Sequence, residues 1–427
     1  MSLDAALAAK ILKAVDDNFD QQMDLTRDLV RFASLRGKEG PCQDFVQGQM
    51  EKRGWSIDRF AMDEAAIGRH PGGSPFSAEH SRAPIVVGIS RPKQEAGRSL
   101  ILQSHVDVVP PGPASMWTRP AFEPHIEGDW FYGRGGADMK AGHAAMFAVF
   151  DALASLGLKP AATVTVQSVV EEEATGNGAL QCHLRGYRAD AVLIPEPEEE
   201  KLIRANAGVL WFRVEVAGLP VHVSHAGSGQ NAIEAAFGLI AALRGLEAEW
   251  NARKGEHALF ADDPHPINLN IGRIEGGDWA SSVPAWCSFD CRIAIYPGER
   301  PEAMQRAVEA TIHAASLNDR FLSNNPPRVV WNGFTTEGYV LEPGSDAEAV
   351  LAHAHQSATG KPLETMVTPA YLDTRVYALY DQVPALCYGP VSENIHGFDE
   401  RFSVASMRRV TGTMALFVAA WCGVEPL

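Results

Sequence analysis

A histidine and an aspartate stand two residues apart in segment 103–110, directly after an apolar run. On an extended strand, residues two apart project to the same side, so the side chains of His105 and Asp107 can lie together where the strand ends. A neutral imidazole binds a borderline metal ion, and a carboxylate can accept the hydrogen of the other ring nitrogen. The pair is therefore a candidate metal ligand with its orienting partner. Two solvated loop residues would give the same spacing.

Further acidic or histidine positions follow apolar runs of the same kind. The runs and the groups that follow them are 162–170 with the triplet 171–173, 191–194 with Glu196, and 383–388 with the loop that carries His396. Uninterrupted apolar runs of this length are typical of buried strands. If these strands are parallel, all of the groups meet at one carboxyl edge of an open α/β sheet, where such folds bind their ligands.

Asp138 is a further candidate, in the glycine-rich turn 133–140 just before a helical pattern that runs to about Leu156. A helix cap is the alternative for this aspartate. A phosphate-binding loop is a poorer explanation, because Asp138 stands where the last glycine of a dinucleotide fingerprint would be. In addition, no Walker-type Gly-Lys-Ser/Thr follows.

Two histidines, one aspartate and two glutamates, without thiolate, suit zinc, cobalt or manganese rather than copper(I) or an iron–sulfur cluster. Two divalent ions roughly 3.5–4 Å apart need a bridging carboxylate and can share a water whose pKa falls toward ~7. In the triplet Glu171-Glu172-Glu173, adjacent side chains leave the strand in different directions. One can therefore bind metal while its neighbour faces the water as a general base. A solvated acidic turn is the alternative.

The ordered set of His-x-Asp, Gly-rich-Asp, Glu-Glu, Glu and a late His resembles the co-catalytic di-zinc amidohydrolases. That family includes acetylornithine deacetylase, succinyl-diaminopimelate desuccinylase, aminoacylase and bacterial glutamate carboxypeptidase. The resemblance covers nearly the whole chain and implies two divalent metal ions, zinc first, with cobalt or manganese possible. It also implies the following roles: His105, Asp138 and Glu196 on one ion, Asp138, Glu173 and His396 on the other, Asp107 orienting His105, and Glu172 as general base.

An inserted domain interrupts the chain between Glu196 and His396. Its β-α-β-β-α-β pattern over 209–334 is typical of a ferredoxin-like split motif. We expect an α/β fold in which 1–208 and 335–427 form the catalytic domain, an open, mostly parallel sheet with helices on both faces. In the resembling family the insert is the lid and dimerisation domain, which implies a homodimer.

The lid also carries candidate functional residues. Segment 221–233 resembles the family's His-to-Asn-Ala-Ile motif, whose imidazole reaches a partner subunit's site to stabilise the tetrahedral oxyanion. The spacing to Asn231 favours His222, with His225 as the rival. An ordinary loop histidine that caps the following helix is the alternative for both.

Two arginines are candidates for substrate binding. Arg292 matches the family's lid arginine for a substrate carboxylate, a role suited to a planar bidentate fork. Arg375 is a similar candidate. A charge at a strand edge is the alternative for Arg292. Where several relatives carry Asn before Val/Ile-Pro, this chain reads Ser281-Ser282, so their substrate contacts do not transfer directly.

Other catalytic classes lack support. His353 and His355 have the His-x-His spacing of barrel-type amidohydrolases, but they lie in helical pattern 346–358, where residues two apart diverge. We expect both histidines on the helix surface. The chain has no Gly-x-Ser-x-Gly elbow and no cysteine in a nucleophile context, so serine and thiol hydrolases are not indicated.

Composition restricts the partners and the compartment. The chain has 427 residues, enough for two domains, and a net charge of −16, which argues against nucleic-acid binding and against a polybasic membrane patch. Its six cysteines show no CxxC spacing, and neither a signal peptide nor an apolar run of membrane-spanning length is present. A cytoplasmic location is therefore expected.

Together these features predict metal-dependent hydrolysis of the amide bond of an N-acylated amino acid or related small molecule. A di-zinc dipeptidase or carboxypeptidase acting on short peptides is the alternative that uses the same residues. A non-catalytic binding protein on this scaffold is the alternative of another class. Such a protein would normally have lost a metal ligand or the base, and this chain retains them all.

Overall fold

The computed structural model describes residues 3–427. Ten α-helices lie within these residues: α1 (Ala5–Val30), α2 (Gly40–Lys52), α3 (Glu64–Arg69), α4 (Ala141–Ser155), α5 (Asn177–Leu184), α6 (Ala232–Ala252), α7 (Pro301–Ser316), α8 (Asp346–Thr359), α9 (Thr374–Val376) and α10 (Val404–Cys422). None of the helices in this part of the chain is both long and apolar enough to cross a membrane.

The strands of the same residues form five sheets. They are β1 (Ser56–Phe60), β2 (Ile85–Ser90), β3 (Leu100–His105), β4 (His125–Glu127), β5 (Trp130–Tyr132), β6 (Leu158–Pro160), β7 (Val164–Val169), β8 (Ala191–Ile194), β9 (Leu202–Asn206), β10 (Gly208–Ala217), β11 (Leu269–Gly276), β12 (Trp286–Ile295), β13 (Arg328–Thr336), β14 (Tyr339–Val340), β15 (Thr365–Thr368), β16 (Ala385–Cys387), β17 (Ser392–Glu393), β18 (Arg401–Ser403) and β19 (Val424–Pro426).

The largest sheet has the order β1-β2-β7-β3-β8-β16. Strands β7, β3, β8 and β16 are parallel, whereas β1 and β2 add an antiparallel edge. Every residue of β3 and β7 is buried, as expected for parallel strands covered on both faces. The predicted mostly parallel sheet is therefore confirmed, and its four parallel strands are the four apolar runs identified in the sequence.

Helices cover both faces of this sheet. Alternate side chains of a strand point to opposite faces, and β3 shows the result. Leu100 and Leu102 pack in a core with Phe147 of α4, while Ile101 packs in a second core with Leu180 of α5. The predicted arrangement of helices on both faces is thus confirmed.

The second large sheet is antiparallel throughout, in the order β11-β12-β10-β13, and its elements follow one another as β10-α6-β11-β12-α7-β13. This is the β-α-β-β-α-β succession predicted from the sequence. Phe212 and Val214 of β10 pack with Leu243 of α6 and Val308 of α7. The helices therefore cover one face of the sheet, and Trp211, the residue before Phe212, lies on the other.

His355 differs from the sequence-based expectation. His353 is exposed on α8 as expected, but His355 is buried and its Nδ1 lies 2.8 Å from the hydroxyl of Tyr388. Helix α8 packs its Leu351 side against the core, and residue 355, one turn later, shares that face. The expectation of a surface position for His355 is wrong, because it considered only the divergence of the two histidines.

Helix α4 packs closely on the end of β8. A β-carbon added at Gly142 would lie 2.1 Å from the carbonyl oxygen of Pro195, the residue before Glu196. The sheet end that carries Glu196 therefore depends on a glycine at this point of the helix.

We expect Gly142→Ala to lower the free energy of unfolding by about 1–3 kcal/mol, because the methyl group would force α4 away from β8. Gly48→Ala in α2 is the matched control, since nothing lies within 4 Å of its added β-carbon. Better helix propensity should raise stability there by about 0.5–1 kcal/mol. Denaturant unfolding of both variants measures the difference, and equal effects would contradict the packing argument.

Candidate active site

Six acidic and imidazole side chains meet at the carboxyl edge of the parallel strands. They lie at or just beyond strand ends, or in the loop before α4: His105 at the end of β3, Asp138 before α4, Glu172 and Glu173 after β7, Glu196 after β8, and His396 after β16. Parallel strands bring such residues together because their carboxyl ends share one edge of the sheet.

Asp138 lies between two imidazoles. Its Oδ1 is 3.1 Å from Nε2 of His105, and its Oδ2 is 3.2 Å from Nε2 of His396. Burial alone would raise the pKa of Asp138, but hydrogen bonds and charge from the two histidines lower it below its ordinary value. One carboxylate that faces two nitrogen donors with its two oxygens has the geometry of a bridging ligand.

The remaining carboxylates complete two groups around Asp138. Glu196 Oε1 lies 3.7 Å and Glu172 Oε2 lies 3.9 Å from His105 Nε2, whereas Glu173 Oε2 lies 3.0 Å from His396 Nε2. One ligand atom from each of His105, Asp138 and Glu173 falls within 4.8 Å of the others. The five residues expected to bind metal are therefore close together in the structure.

The charge of this cluster fits divalent cations. Burial raises the pKa of Glu172, Glu173 and Glu196, and the negative charge of neighbouring carboxylates raises it further. Within residues 3–427, Oε1 of Glu196 is buried without a hydrogen-bond donor. A buried acceptor of this kind requires a cation or a donor. Imidazole nitrogen and carboxylate oxygen are ligands that zinc and similar ions accept.

Asp107 supports the cluster mainly through its backbone. The Nδ1 of His105 lies 2.9 Å from the carbonyl oxygen of Asp107, so Nδ1–H donates there and Nε2 is left free to face Asp138. The Asp107 carboxylate is farther from Nδ1, at 3.6 Å, and accepts the backbone N–H of Glu173 at 3.1 Å. It therefore also orients the loop that carries Glu173.

The three glutamates of the triplet diverge. Glu171 points away from the cavity, where Arg36 donates to its two oxygens at 2.6 and 2.8 Å and Ser81 N–H donates at 2.7 Å. Glu172 and Glu173 remain on the side of the two histidines. The triplet is buried or partly buried, so it does not form a solvated acidic turn.

Glu400 holds the loop of Asp138 and was not found from the sequence. Its carboxylate accepts the backbone N–H groups of Gly135, Ala137 and Asp138 at 3.0–3.1 Å, and it pairs with Arg134. Helix α4 begins only at Ala141, so these contacts, rather than a helix-capping role, fix the position of Asp138. No motif marks Glu400, because its role depends on a contact between residues more than 260 positions apart.

A cavity of about 510 Å³ separates this edge from the sheet β11-β12-β10-β13, called the lid sheet below. Its catalytic side includes Asp138 and the three cluster glutamates, and its lid side includes Trp211, Asn270, Arg292 and Phe334. The sequence predicted Arg292 here, but it missed the two aromatic residues and Asn270. The alternating pattern of β10 could have indicated that Trp211 faces away from the helices. The strand pairing that sets Trp211 and Asn270 opposite Arg292 is visible in the structure alone.

Arg292 is partly buried and has no acidic partner in the described part of the chain. Its guanidinium donates to the carbonyl oxygen of Pro369 at 2.6 Å, and desolvation lowers its pKa to about 10. The side chain still carries its charge at neutral pH. An unpaired guanidinium facing a cavity is a ready receptor for a carboxylate.

Arg375 does not line the cavity. It is fully buried and donates to Glu337 at 3.1 Å and to the carbonyl oxygen of Gly72 at 2.9 Å. The structure thus corrects the expectation that Arg375 touches substrate, since its donors are used within the protein. Its remaining link to the site is indirect, through a long 3.4 Å contact with the hydroxyl of Tyr371.

The lid histidines lie outside the cavity of their own chain. His222 is exposed, and its Nδ1 is 2.7 Å from the hydroxyl of Ser224. His225 is exposed in the same segment. Neither caps α6, because the side chain of Asn231 accepts the first N–H groups of that helix. The helix-cap alternative is therefore wrong for α6, but it holds for His222 at the short 3₁₀ helix Val223–Ser228, because its Nδ1 accepts the backbone N–H of Ser224 at 3.2 Å.

The fold and the cluster together define a metal-dependent hydrolase with a lid over its site. Residues 101–420 match the model of Peptidase family M20/M25/M40. The chain belongs to this family.

Relatives with described activities and solved structures agree with this assignment. The chain is 26% identical to N-formyl-4-amino-5-aminomethyl-2-methylpyrimidine deformylase of Halalkalibacterium halodurans, over 97% of each chain. It is 25% identical to succinyl-diaminopimelate desuccinylase of Methylibium petroleiphilum, over 90% of this chain and 93% of the relative. The di-peptidase Dug1p from Saccharomyces cerevisiae has a similar fold, with a TM-score of 0.78, 16% identity and coverage of 98% and 99%.

We expect Glu400→Gln to weaken metal binding about 10–100-fold, because the loop of Asp138 would lose its charged acceptor. Titration of metal-free protein against a chromophoric chelator measures the affinity. Glu393→Gln is the control, since Glu393 pairs with Arg401 at a partly exposed site. Unchanged affinity in Glu400→Gln would show that the loop holds Asp138 without this carboxylate.

Proposed function

We propose that the protein hydrolyses the amide bond of an N-acylated amino acid or a related small amide with the help of two divalent metal ions, zinc first. The observation that carries this proposal is Asp138, which lies between His105 and His396 with three more carboxylates beside it. Two relatives over nearly the whole chain are a deformylase and a desuccinylase, both of which remove an acyl group.

The two ions would share Asp138. His105 and Glu196 would hold one ion, and Glu173 and His396 the other, in keeping with the two groups of short distances. When bound, such ions polarise a carbonyl and lower the pKa of water. Cobalt or manganese would suit the same nitrogen and oxygen donors.

Glu172 is the proposed general base. Its carboxylate lines the cavity beside the metal-ligand cluster. Glu171 on one side of it pairs with Arg36 away from the cavity, and Glu173 on the other side is held by His396. In this position it would take a proton from the attacking water and return it to the departing amine. Arg292 would hold the substrate carboxylate, because its guanidinium faces the cavity without an acidic partner.

Glu172→Gln should lower kcat about 10²–10⁴-fold, because the amide cannot accept the proton. Bound metal should stay unchanged, since Gln replaces a residue that is not a proposed ligand. Hydrolysis of N-acetyl amino acids and elemental analysis of the same samples provide the two readouts. Glu302→Gln, at the exposed start of α7, is the control. Full activity in Glu172→Gln would exclude this role.

A dipeptidase or carboxypeptidase activity is the second candidate. A dipeptide is itself an N-acyl amino acid, and a cavity of about 510 Å³ has room for either substrate. Comparing turnover of N-acetyl and N-succinyl amino acids with that of dipeptides separates the two functions.

We further propose a homodimer formed through the lid domain, which we place at 209–334. His222 is exposed and outside its own chain's cavity, so it is free to serve a neighbouring subunit's site. Strand β11 is an edge strand of the lid sheet. The side chains of Ile274 on this strand and of Trp279 in the turn after it are exposed. Exposed apolar groups on an open sheet edge favour association.

A cytoplasmic location is also proposed. All six cysteines are buried and unpaired, as expected in a reducing compartment. Blocking experiments with thiol reagents before and after unfolding would detect any disulfide in the purified protein.

Mixing two inactive variants tests the role of His222 across the dimer. Glu172→Gln supplies His222, and His222→Ala supplies Glu172, so a mixed dimer would contain one complete site. With random exchange of subunits, we expect activity to return to about a quarter of the wild-type level. No recovery in dimers shown to have exchanged, by native mass spectrometry of labelled chains, would rule out a role of His222 in the partner's site.

A further inference from the structure

One face of the lid sheet carries a row of side chains that crosses three strands. Asn270 pairs with Arg292 across β11 and β12, and Arg292 pairs with Trp211 across β12 and β10. Directly opposite residues of antiparallel strands project to the same face. All three residues line the cavity. An amide, a guanidinium and an indole therefore stand side by side, each one strand from the next.

The indole is part of an aromatic wall formed by Trp211, Phe334 and Tyr371. The rings of Trp211 and Phe334 meet edge to face at 5.3 Å, and those of Phe334 and Tyr371 lie 4.5 Å apart. Phe334 and Tyr371 are nearly buried, whereas Trp211 is only partly buried and keeps surface available to a ligand.

The aromatic wall is held in place from behind. A β-carbon at Gly333 would lie 2.6 Å from the indole of Trp211, so the ring fits against β13 only because that residue is glycine. The hydroxyl of Tyr371 donates to Asp373 at 2.8 Å, and Gln103 donates to the same buried carboxylate at 2.7 Å. A fixed aromatic surface recognises a ring at a low entropic cost.

The spacing between Arg292 and Trp211 limits what can bind both. Directly opposite residues of neighbouring strands have β-carbons about 5 Å apart, so a ligand that binds both Arg292 and Trp211 needs its carboxylate and its ring close together. In an aromatic α-amino acid, two carbon atoms separate the carboxylate from the ring, which gives about 4–5 Å between carboxylate and ring centre. An aromatic acyl group would lie beyond the amide, at about 6 Å or more.

We propose that the substrate is an N-acyl α-amino acid with an aromatic side chain, whose ring packs on the aromatic wall and whose carboxylate binds Arg292. This proposal rests on the proposed function, since it names the amine half of the same amide substrate. The scissile amide then lies on the far side of the α-carbon from the ring, within the cavity that the metal-ligand cluster also lines.

Hydrolysis of N-acetyl-L-phenylalanine and N-acetyl-L-alanine by the metal-loaded enzyme tests the preference. We expect kcat/KM to be at least about tenfold higher for the phenylalanine substrate, as an aromatic contact of this kind provides. Trp211→Leu should lower the ratio of kcat/KM for the phenylalanine substrate to kcat/KM for the alanine substrate by about tenfold. Equal rates in the wild type, or faster hydrolysis of N-benzoylglycine than of N-acetyl-L-phenylalanine, would overturn the proposal.

Trp331→Leu is the matched control. Trp331 is also a partly buried tryptophan of the lid sheet, but it packs against Phe212 on the face covered by helices. The substrate preference should survive this change. Loss of the preference in both variants would show that general damage to the lid, rather than the aromatic wall, sets it.

Calorimetric binding of the free products L-phenylalanine and L-alanine separates recognition from catalysis. The wild type should bind L-phenylalanine about tenfold more tightly, and Trp211→Leu should not. If neither N-acetyl substrate is hydrolysed but this Trp211-dependent binding is found, the proposed function fails and aromatic recognition stands. If both N-acetyl substrates are hydrolysed and the ratio of their kcat/KM values is the same in the wild type and in Trp211→Leu, the proposed function stands and aromatic recognition fails.

Discussion

The crowding of four carboxylates around two imidazoles is the constraint on which the rest of the structure depends. Like charges in a poorly solvated site repel each other, and burial raises their pKa, so the fold must hold them against their own repulsion. Rigid strand ends do so for His105 and Glu196. A divalent cation placed among them would convert this repulsion into attraction, which is why the cluster has the character of a metal site.

The surrounding structure supplies further support by pairing the neighbouring charges. Arg36 pairs with Glu171, and Arg134 pairs with Glu400. These ion pairs lie behind the site, so they fix the loops without neutralising the carboxylates that face the cavity. The carboxylates that hold the loops are thus paired with arginines, whereas those that face the cavity have no arginine partner among the described residues.

Much of the catalytic side was predictable because its signals are local in sequence. Apolar runs indicated the parallel strands, and polar residues directly after them indicated the site edge, since a strand end fixes where the next residue lies. The positions of Arg375 and His355 were not predictable in this way, because their burial depends on helix packing and on distant partners, Glu337 for Arg375 and Tyr388 for His355. Glu400 gave no local signal at all.

The sequence by itself determined three things: which segments form the parallel strands, which types of side chain stand at their ends, and the succession of strands and helices in the lid. Each follows from short-range patterns of apolar and polar residues. Only the tertiary structure decided which atoms meet: the two oxygens of Asp138 on two histidines, and Arg292 beside Trp211. Those contacts join residues far apart in the chain, and their distances depend on strand register and domain packing rather than on any local pattern.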